Sequence, residues 1–439
     1  MSVRLLEPET DEVVAPTSGY ERVKHELHTE VVSELDPAAL RHIRRRDLEQ
    51  QLRARLDRSL RTRDLPLTKA EQDRVVDDVL DEILGYGPIE RLLRSSDATD
   101  ILVNGPDTVY IERNGKLEHT DVHFRDEAHL RHVIDRIVSR VGRRIDESVP
   151  MVDARLPDGS RFNAIIPPLA LNGPTVSIRR FGLNPIRRED LISLNSVPDA
   201  AMRLLEGCIR SKLNVLVSGG TGSGKTTLLN VLSAFIGATE RIITIEDAAE
   251  LRLQQPHVIR LETRPPNLEG AGEITTRDLV RNALRMRPDR IIVGEIRGLE
   301  AIDMLQAMNT GHEGSISTIH ANSPRHALSR IETMVGLGMG NIPGPAIREM
   351  IAEAIDLVIQ VSRLSDGKRR LTSITEINGI AGGVISTQEI FRFNQRTVDA
   401  TGMVRGRFES TGVRPEFTAR FSAYGIALPP ELLSIAVEV

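Results

Sequence analysis

The chain reads as an α/β protein: a mainly parallel sheet covered by helices, preceded by an α+β domain and a small helical bundle. Three observations predict this. From about Ser193 onward, short apolar β-type runs alternate with helix-period segments, the pattern of strands joined by helical crossovers. Between Ile101 and Ile178 several short β-type runs surround a single helical pattern. Between residues 37 and 95, apolar residues recur at helical spacing alone.

Taken in order, residues 1–36 mix Pro, Thr, Ser and acids without periodicity and read as a disordered lead-in. Residues 37–95 read as the bundle. Arg41–Arg63 carries nine arginines against Asp47, Glu49 and Asp57, and the sign then reverses, with seven acids and two bases from Asp64 to Leu84. Thr68 and Glu71 have capping-box spacing, each side chain able to satisfy a free N–H at a helix start. Val75, Val76, Val79, Leu80, Ile83 and Leu84 then share one helix face, which Gly85–Pro88 ends. Residues 96–190 form the α+β domain. Its expected strands are Ile101–Val103, Thr108–Arg113, Lys116–Val122, Phe162–Ile166 and Thr175–Ile178, with Asn114-Gly115 as a hairpin turn and a helix through Leu130–Val141. Residues 191–390 hold the parallel sheet, with strands at Asn214–Ser218, Arg241–Ile245, Arg290–Val293 and Ser315–Ile319. Residues 391–439 read as a C-terminal tail.

Composition bounds the function. At 439 residues with 40% hydrophobic content, the chain can bury more than one core. Lys plus Arg (57) and Asp plus Glu (62) nearly balance, which argues against a protein that coats nucleic acid. The single cysteine, Cys208, can form neither an intrachain disulfide nor a Cys-rich zinc site. No apolar run is long enough for a membrane span or a signal peptide core, so the expected location is cytoplasmic.

Gly219, Gly220, Thr221, Gly222, Ser223, Gly224, Lys225 and Thr226, followed by Thr227, fit the phosphate-loop pattern between an apolar strand and a helix. Glycines let successive backbone N–H groups turn toward phosphates, Lys225 neutralises their charge, and the Thr226 hydroxyl can reach Mg²⁺. ATP and Mg²⁺ are therefore the expected ligands. Glu246 and Asp247 close the next strand, where acids face the nucleotide crevice, and could hold a Mg²⁺-bound water or orient the attacking one. Arg290–Glu295 is an apolar strand ending in an acid, as a Walker B strand should. Gly294 stands where an aspartate commonly reaches the metal, which leaves metal binding to Thr226, Glu246 and Asp247 and frees Glu295 to polarise water. Either Glu295 or Glu246 can serve as the base. His320 closes the fourth strand near the phosphates, with His312 as a second candidate.

These elements resemble the signatures of the type II and type IV secretion ATPases: a Walker A loop, an Asp box (Ile245–Leu251), an atypical Walker B (Val293–Arg297) and a His box (Gly311–Asn322). Upstream, Gly85–Glu90, Asp100–Gly105, Arg143–Glu147 and Val152–Arg161 resemble the CpaF type, the motor of the Tad (Flp) pilus. The resemblance implies a RecA-like ATPase domain and a PAS-like N-terminal domain that clamp ATP in a homo-hexameric ring. It further implies a cytoplasmic motor on the inner face of the membrane, driving pilus assembly through polytopic inner-membrane platform proteins. Arg161, Arg179, Arg180 and Arg297 become candidates to reach the γ-phosphate from the N-domain or a neighbouring subunit, with Arg179 preferred to Arg180. Arg179 and Arg180 alternate across a strand, so only one can face a given side. The alternative is a conjugation-type traffic ATPase for DNA or protein. The arginine run contains no Phe, Tyr or Trp to stack bases, so stable nucleic-acid binding is not expected.

Overall fold

The computed structural model describes residues 19–33, 45–63, 67–95, 97–113, 116–180, 186–266, 271–339, 342–427, 434 and 436–438. The chain divides into two compact units, 1–183 and 184–439. The boundary falls before residue 190 because the helix Arg188–Ser193 belongs to the second unit: Arg188 pairs there with Asp199 and Glu206, and Leu191 is buried in that unit's core.

In the first unit, the helices Gly19–Ser33, Arg45–Arg61 and Lys69–Leu84 bury one core of Val23, Leu27, Val31, Leu52, Leu56, Leu60, Val75, Val76, Val79 and Leu80. For residues 19–33 this corrects the reading of a disordered lead-in over 1–36. Val23, Leu27 and Val31 recur every four residues and form a narrow apolar stripe. So thin a stripe is stable only against its two partner helices. Residues 1–18 and 34–44 lie outside the described residues, as does the Asn114-Gly115 turn. Thr68 caps the third helix: its hydroxyl accepts from Glu71 N–H at 3.3 Å, and Glu71 accepts from Thr68 N–H at 2.7 Å.

The α+β part of this unit is an antiparallel sheet of β1 (Ala98–Asn104), β2 (Val109–Arg113), β3 (Lys116–His119), β4 (Met151–Arg155), β5 (Arg161–Ile165) and β6 (Thr175–Arg179), in the order β3-β2-β1-β6-β5-β4. The helix Glu127–Arg140 shares its core through Leu130, Val133, Ile134, Ile137 and Val138. Polar contacts fasten this part to the third bundle helix. His129 Nε2 lies 2.9 Å from the Glu82 carboxylate, Arg94 meets Asp81 at 2.5 Å, and Arg140 donates to the Leu84 carbonyl at 3.1 Å.

The second unit is a ten-stranded sheet. Its parallel part comprises β7 (Val215–Gly219), β8 (Ile242–Glu246), β9 (Val258–Glu262), β10 (Arg290–Ile296), β11 (Ile316–Ile319) and β12 (Leu357–Arg363), in the order β12-β7-β11-β10-β8-β9. Strands buried on both faces must be apolar throughout, and alternate residues feed opposite cores. Val215 and Val217 face one cluster with Leu228, Leu229 and Leu232, while Leu216 faces the other with Ile243, Ile291 and Val293. Asn214 locks the strand starts together. Its amide donates to the carbonyls of Met308 and Ala354, and its oxygen accepts from Gly314 and Ser315 N–H.

Antiparallel strands β13 (Arg369–Ala381), β14 (Val384–Val398), β15 (Val404–Ser410) and β16 (Ala436–Glu438) extend the sheet beyond β12. The expectation of a tail over 391–439 is therefore corrected. Phe391, Phe408, Phe417 and Phe421 are buried in the same core as Val215 and Val217. On β14 only Ile390 and Phe391 are buried, within a run of exposed or half-buried polar residues, which masks the strand's contribution to that core.

Candidate functional site

Strands β7, β8, β10 and β11 are parallel, so their carboxyl ends share one edge, and the candidate residues follow those ends. At β7 the chain turns through Gly222 (φ +68°) and Gly224 (φ +96°), left-handed values open to glycine, before the helix Lys225–Ser233. Lys225 is buried, and its ammonium donates to the carbonyls of Gly219 and Gly220, both at 3.0 Å. Burial lowers its pKa, a tendency opposed by the nearby Glu295 carboxylate.

His320, following β11, stands between Lys225 and Glu295. Its Nδ1 is 3.3 Å from the Lys225 ammonium and its Nε2 is 3.3 Å from Glu295 Oε1. A neutral imidazole carrying its proton on Nε2 serves both neighbours, accepting from Lys225 and donating to Glu295. Burial and the Lys225 charge hold the imidazole below its ordinary pKa, which keeps it neutral at pH 7.

Glu295, near the end of β10, accepts from Arg297 Nη2 at 2.9 Å, and Arg297 Nη1 reaches Asp247 at 3.0 Å. Burial alone would raise the Glu295 carboxyl, but the Arg297 hydrogen bond and charge, with His320 and Lys225, hold it below the usual range. It is an ionised carboxylate at neutral pH. Arg297 is itself fixed through its backbone: Glu300 Oε1 accepts the N–H groups of Arg297 and Gly298.

Glu246 differs from Glu295. It is 4% exposed, and one carboxylate oxygen accepts from Glu250 and Leu251 N–H at 2.7 and 2.9 Å. The other, Oε1, is buried and accepts no hydrogen bond. Burial pushes its carboxyl up to about 7, against those two backbone hydrogen bonds. Two carboxyls at one sheet edge are thus set apart by environment. The glycine turn and ammonium at the end of β7 fit a nucleotide phosphate, and the unpartnered Glu246 Oε1 at the end of β8, on the same sheet edge, is a carboxylate oxygen of the kind that fits a hydrated Mg²⁺. Asp247 also accepts from the Thr276 hydroxyl at 3.2 Å.

The structure thus brings Lys225, Thr226, Glu246, Asp247, Glu295 and His320 to one edge, and adds Arg297 from the same unit. Arg297 was named with the arginines that could reach the γ-phosphate from the N-domain or a neighbouring subunit; within its own unit its side chain joins Glu295 to Asp247. His312 does not join them. It precedes β11, at the opposite edge of the parallel strands, where its carbonyl accepts from the Ser315 hydroxyl. Arg161 and Arg179 lie in the first unit, in register on β5 and β6, with Asp100 of β1 opposite Arg179. Arg180 spends its guanidinium on the carbonyls of Ser95 and Ala98. The link from Arg297 to Asp247 and the Thr276 contact were not foreseen, because the partners are far apart in sequence and meet only through sheet order.

The family profile described as "Type II/IV secretion system protein" matches residues 82–407. The chain belongs to this family of secretion ATPases. It is similar to a Mycobacterium tuberculosis protein provisionally named for conjugal transfer, 39% identical over 311 residues, covering 69% of this chain and 87% of that protein. It is also similar to the type IV secretion system protein PtlH of Bordetella pertussis, 33% identical over 320 residues, covering 66% and 93%. Among solved structures, the VirB11 ATPase of Brucella suis is 29% identical and covers 65% of this chain and 94% of its own, at a TM-score of 0.36. As a member of the family the chain is an ATPase, with the α/β fold described above. Among the described residues, no helix is long and apolar enough to cross a membrane.

Proposed function

We propose that this ATPase is the homo-hexameric motor of a Tad (Flp)-type pilus assembly machine, acting on the inner face of the membrane through polytopic platform proteins. The observation that carries the hydrolytic part is the run of contacts from Lys225 through His320, Glu295 and Arg297 to Asp247 beside the phosphate loop. The pilus part rests on the four upstream segments that resemble the CpaF type.

In this reading the Gly219–Thr227 backbone and Lys225 bind the phosphates, and Thr226, Glu246 and Asp247 would hold Mg²⁺. When bound, Mg²⁺ neutralises charge on the phosphate oxygens. Glu295, ionised and steadied by His320 and Arg297, accepts the proton of the attacking water. Glu246, with a carboxyl poised near neutrality, is the rival base. Arg161 and Arg179 supply positive charge from the N-domain or a neighbouring subunit.

A second reading, a traffic ATPase for DNA or protein export, is favoured by the relatives named for conjugal transfer and type IV secretion. Genetics separates the two. Deleting the gene abolishes surface pili under the first reading, and the wild-type gene restores them while Lys225→Ala does not. Intact pili with lost DNA or protein export would favour the second. A direct check is DNA affinity at physiological salt. The pilus motor binds DNA only non-specifically, at about 10⁻⁴ to 10⁻⁶ M. Nanomolar binding that disappears when Arg46, Arg53 and Arg55 become Gln would point to DNA traffic.

A further inference from the structure

Arg369 opens β13 and reaches back over the phosphate loop. Its Nε donates to the Gly222 carbonyl at 2.9 Å. Its side-chain carbons cover Gly224, where a Cβ would sit 3.5 Å from Arg369 Cδ. Sheet register imposes this proximity: Val361 of β12 aligns with Gly219 of β7, and Arg363 aligns with Arg369 across the β12–β13 turn. The turn is itself held in place. Leu364 N–H donates to the Lys368 carbonyl at 2.8 Å, and Asp366 accepts from Lys368 N–H at 3.0 Å and from Val404 N–H at 3.1 Å.

Gly222 and Gly224 are the two left-handed residues of the loop, the points where the backbone reverses so that its amides can converge on an anion. A hydrogen bond to the Gly222 carbonyl fixes the orientation of that peptide group, and with it the next amide. The guanidinium also places a permanent positive charge beside a loop that receives phosphates.

We propose that Arg369 is a positioning residue for nucleotide binding, bracing the Gly222–Gly224 turn with its amides facing the phosphates. A braced loop loses less conformational freedom when the ligand arrives, so affinity gains for ATP and ADP alike. The brace stands outside the reacting atoms, so its loss falls on KM and Kd more than on kcat. The inference rests on residues 219–227 being the phosphate loop.

The test uses the full chain, fluorescent ADP and ATP analogues, and amide hydrogen exchange. Arg369→Ala should weaken both nucleotides about fivefold, the scale of one lost hydrogen bond. It should also speed exchange at Thr221–Lys225 in nucleotide-free protein, and Arg369→Lys, which keeps a donor and an apolar stem, should recover most of both effects. Should Arg369→Ala fail to fold, Arg369→Gln is read in its place, with the same directions expected. Wild-type affinity for both nucleotides, or unchanged exchange across the loop, would overturn the proposal. If Lys225→Ala binds nucleotide as the wild type does, the phosphate-loop reading fails instead, and that outcome is distinct.

Discussion

Glu246 occupies the space that a side chain at Gly294 would need: a Cβ built at Gly294 would lie 2.8 Å from Glu246 Cγ. The Glu246 carboxylate cannot easily swing aside, because Glu250 and Leu251 N–H groups pin it. The missing aspartate of the Walker B strand therefore has a steric cause in the neighbouring strand. One acid at the end of β8 excludes another at position 294 of β10.

Restoring the common residue should therefore do harm. Gly294→Asp and Gly294→Ala should each lower ATP turnover by about tenfold or more, by displacing Glu246 and the adjoining Glu295 from working geometry. ADP affinity should change far less, since the phosphate loop is a separate segment. Steady-state turnover and ADP titration of both variants check this.

Asn214 predicts a large structural effect far from the reacting edge. Its side chain makes four hydrogen bonds to main-chain groups of three other segments, at 2.8 to 3.3 Å. Asn214→Ala leaves two carbonyls and two amides unpaired in the core. The expected loss is about 3 to 5 kcal/mol, measured by urea unfolding.

Four of the six parallel strands were legible because they are short apolar runs closed by motif residues, as in Val215–Gly219 and Arg290–Glu295, whereas β9 and β12 end in no motif and were not read. Two other parts were not. The helix Gly19–Ser33 buries only Val23, Leu27 and Val31, too few to stand out from a polar context. Strand β14 is rich in Gln, Arg and Thr, and the burial of Phe391 depends on Phe408 across the sheet, 6.1 Å away between ring centres. Within the site, the types and order of Lys225, Glu246, Glu295 and His320 were readable. The Arg297 bridge to Asp247 and the exclusion between Gly294 and Glu246 depend on which strands are neighbours, which no local pattern encodes.

Asp81 carries a pH prediction in the first unit. Burial pushes its carboxyl up to about 6 from an ordinary 3.8, with Arg94 only partly opposing. Between those values the folded chain binds more protons than the unfolded one, so this group's contribution falls as pH rises through the window. Asp81→Asn removes that dependence. Relative to the wild type, the variant should gain up to about 3 kcal/mol between pH 4 and pH 7, read from denaturant unfolding at both values. A wild-type-to-variant difference that does not change with pH would show that Arg94 compensates the burial fully.

The most direct measurement is ATP binding and turnover of Glu295→Gln side by side. The substitution keeps the shape of the side chain and its contact with His320 but removes the ionised carboxylate. With Glu295 as the base, the variant binds ATP with an affinity near that of the wild type and hydrolyses it at least about 100-fold more slowly. Turnover at the wild-type rate would contradict the assignment, and the same loss in Glu246→Gln alone would transfer the role to Glu246.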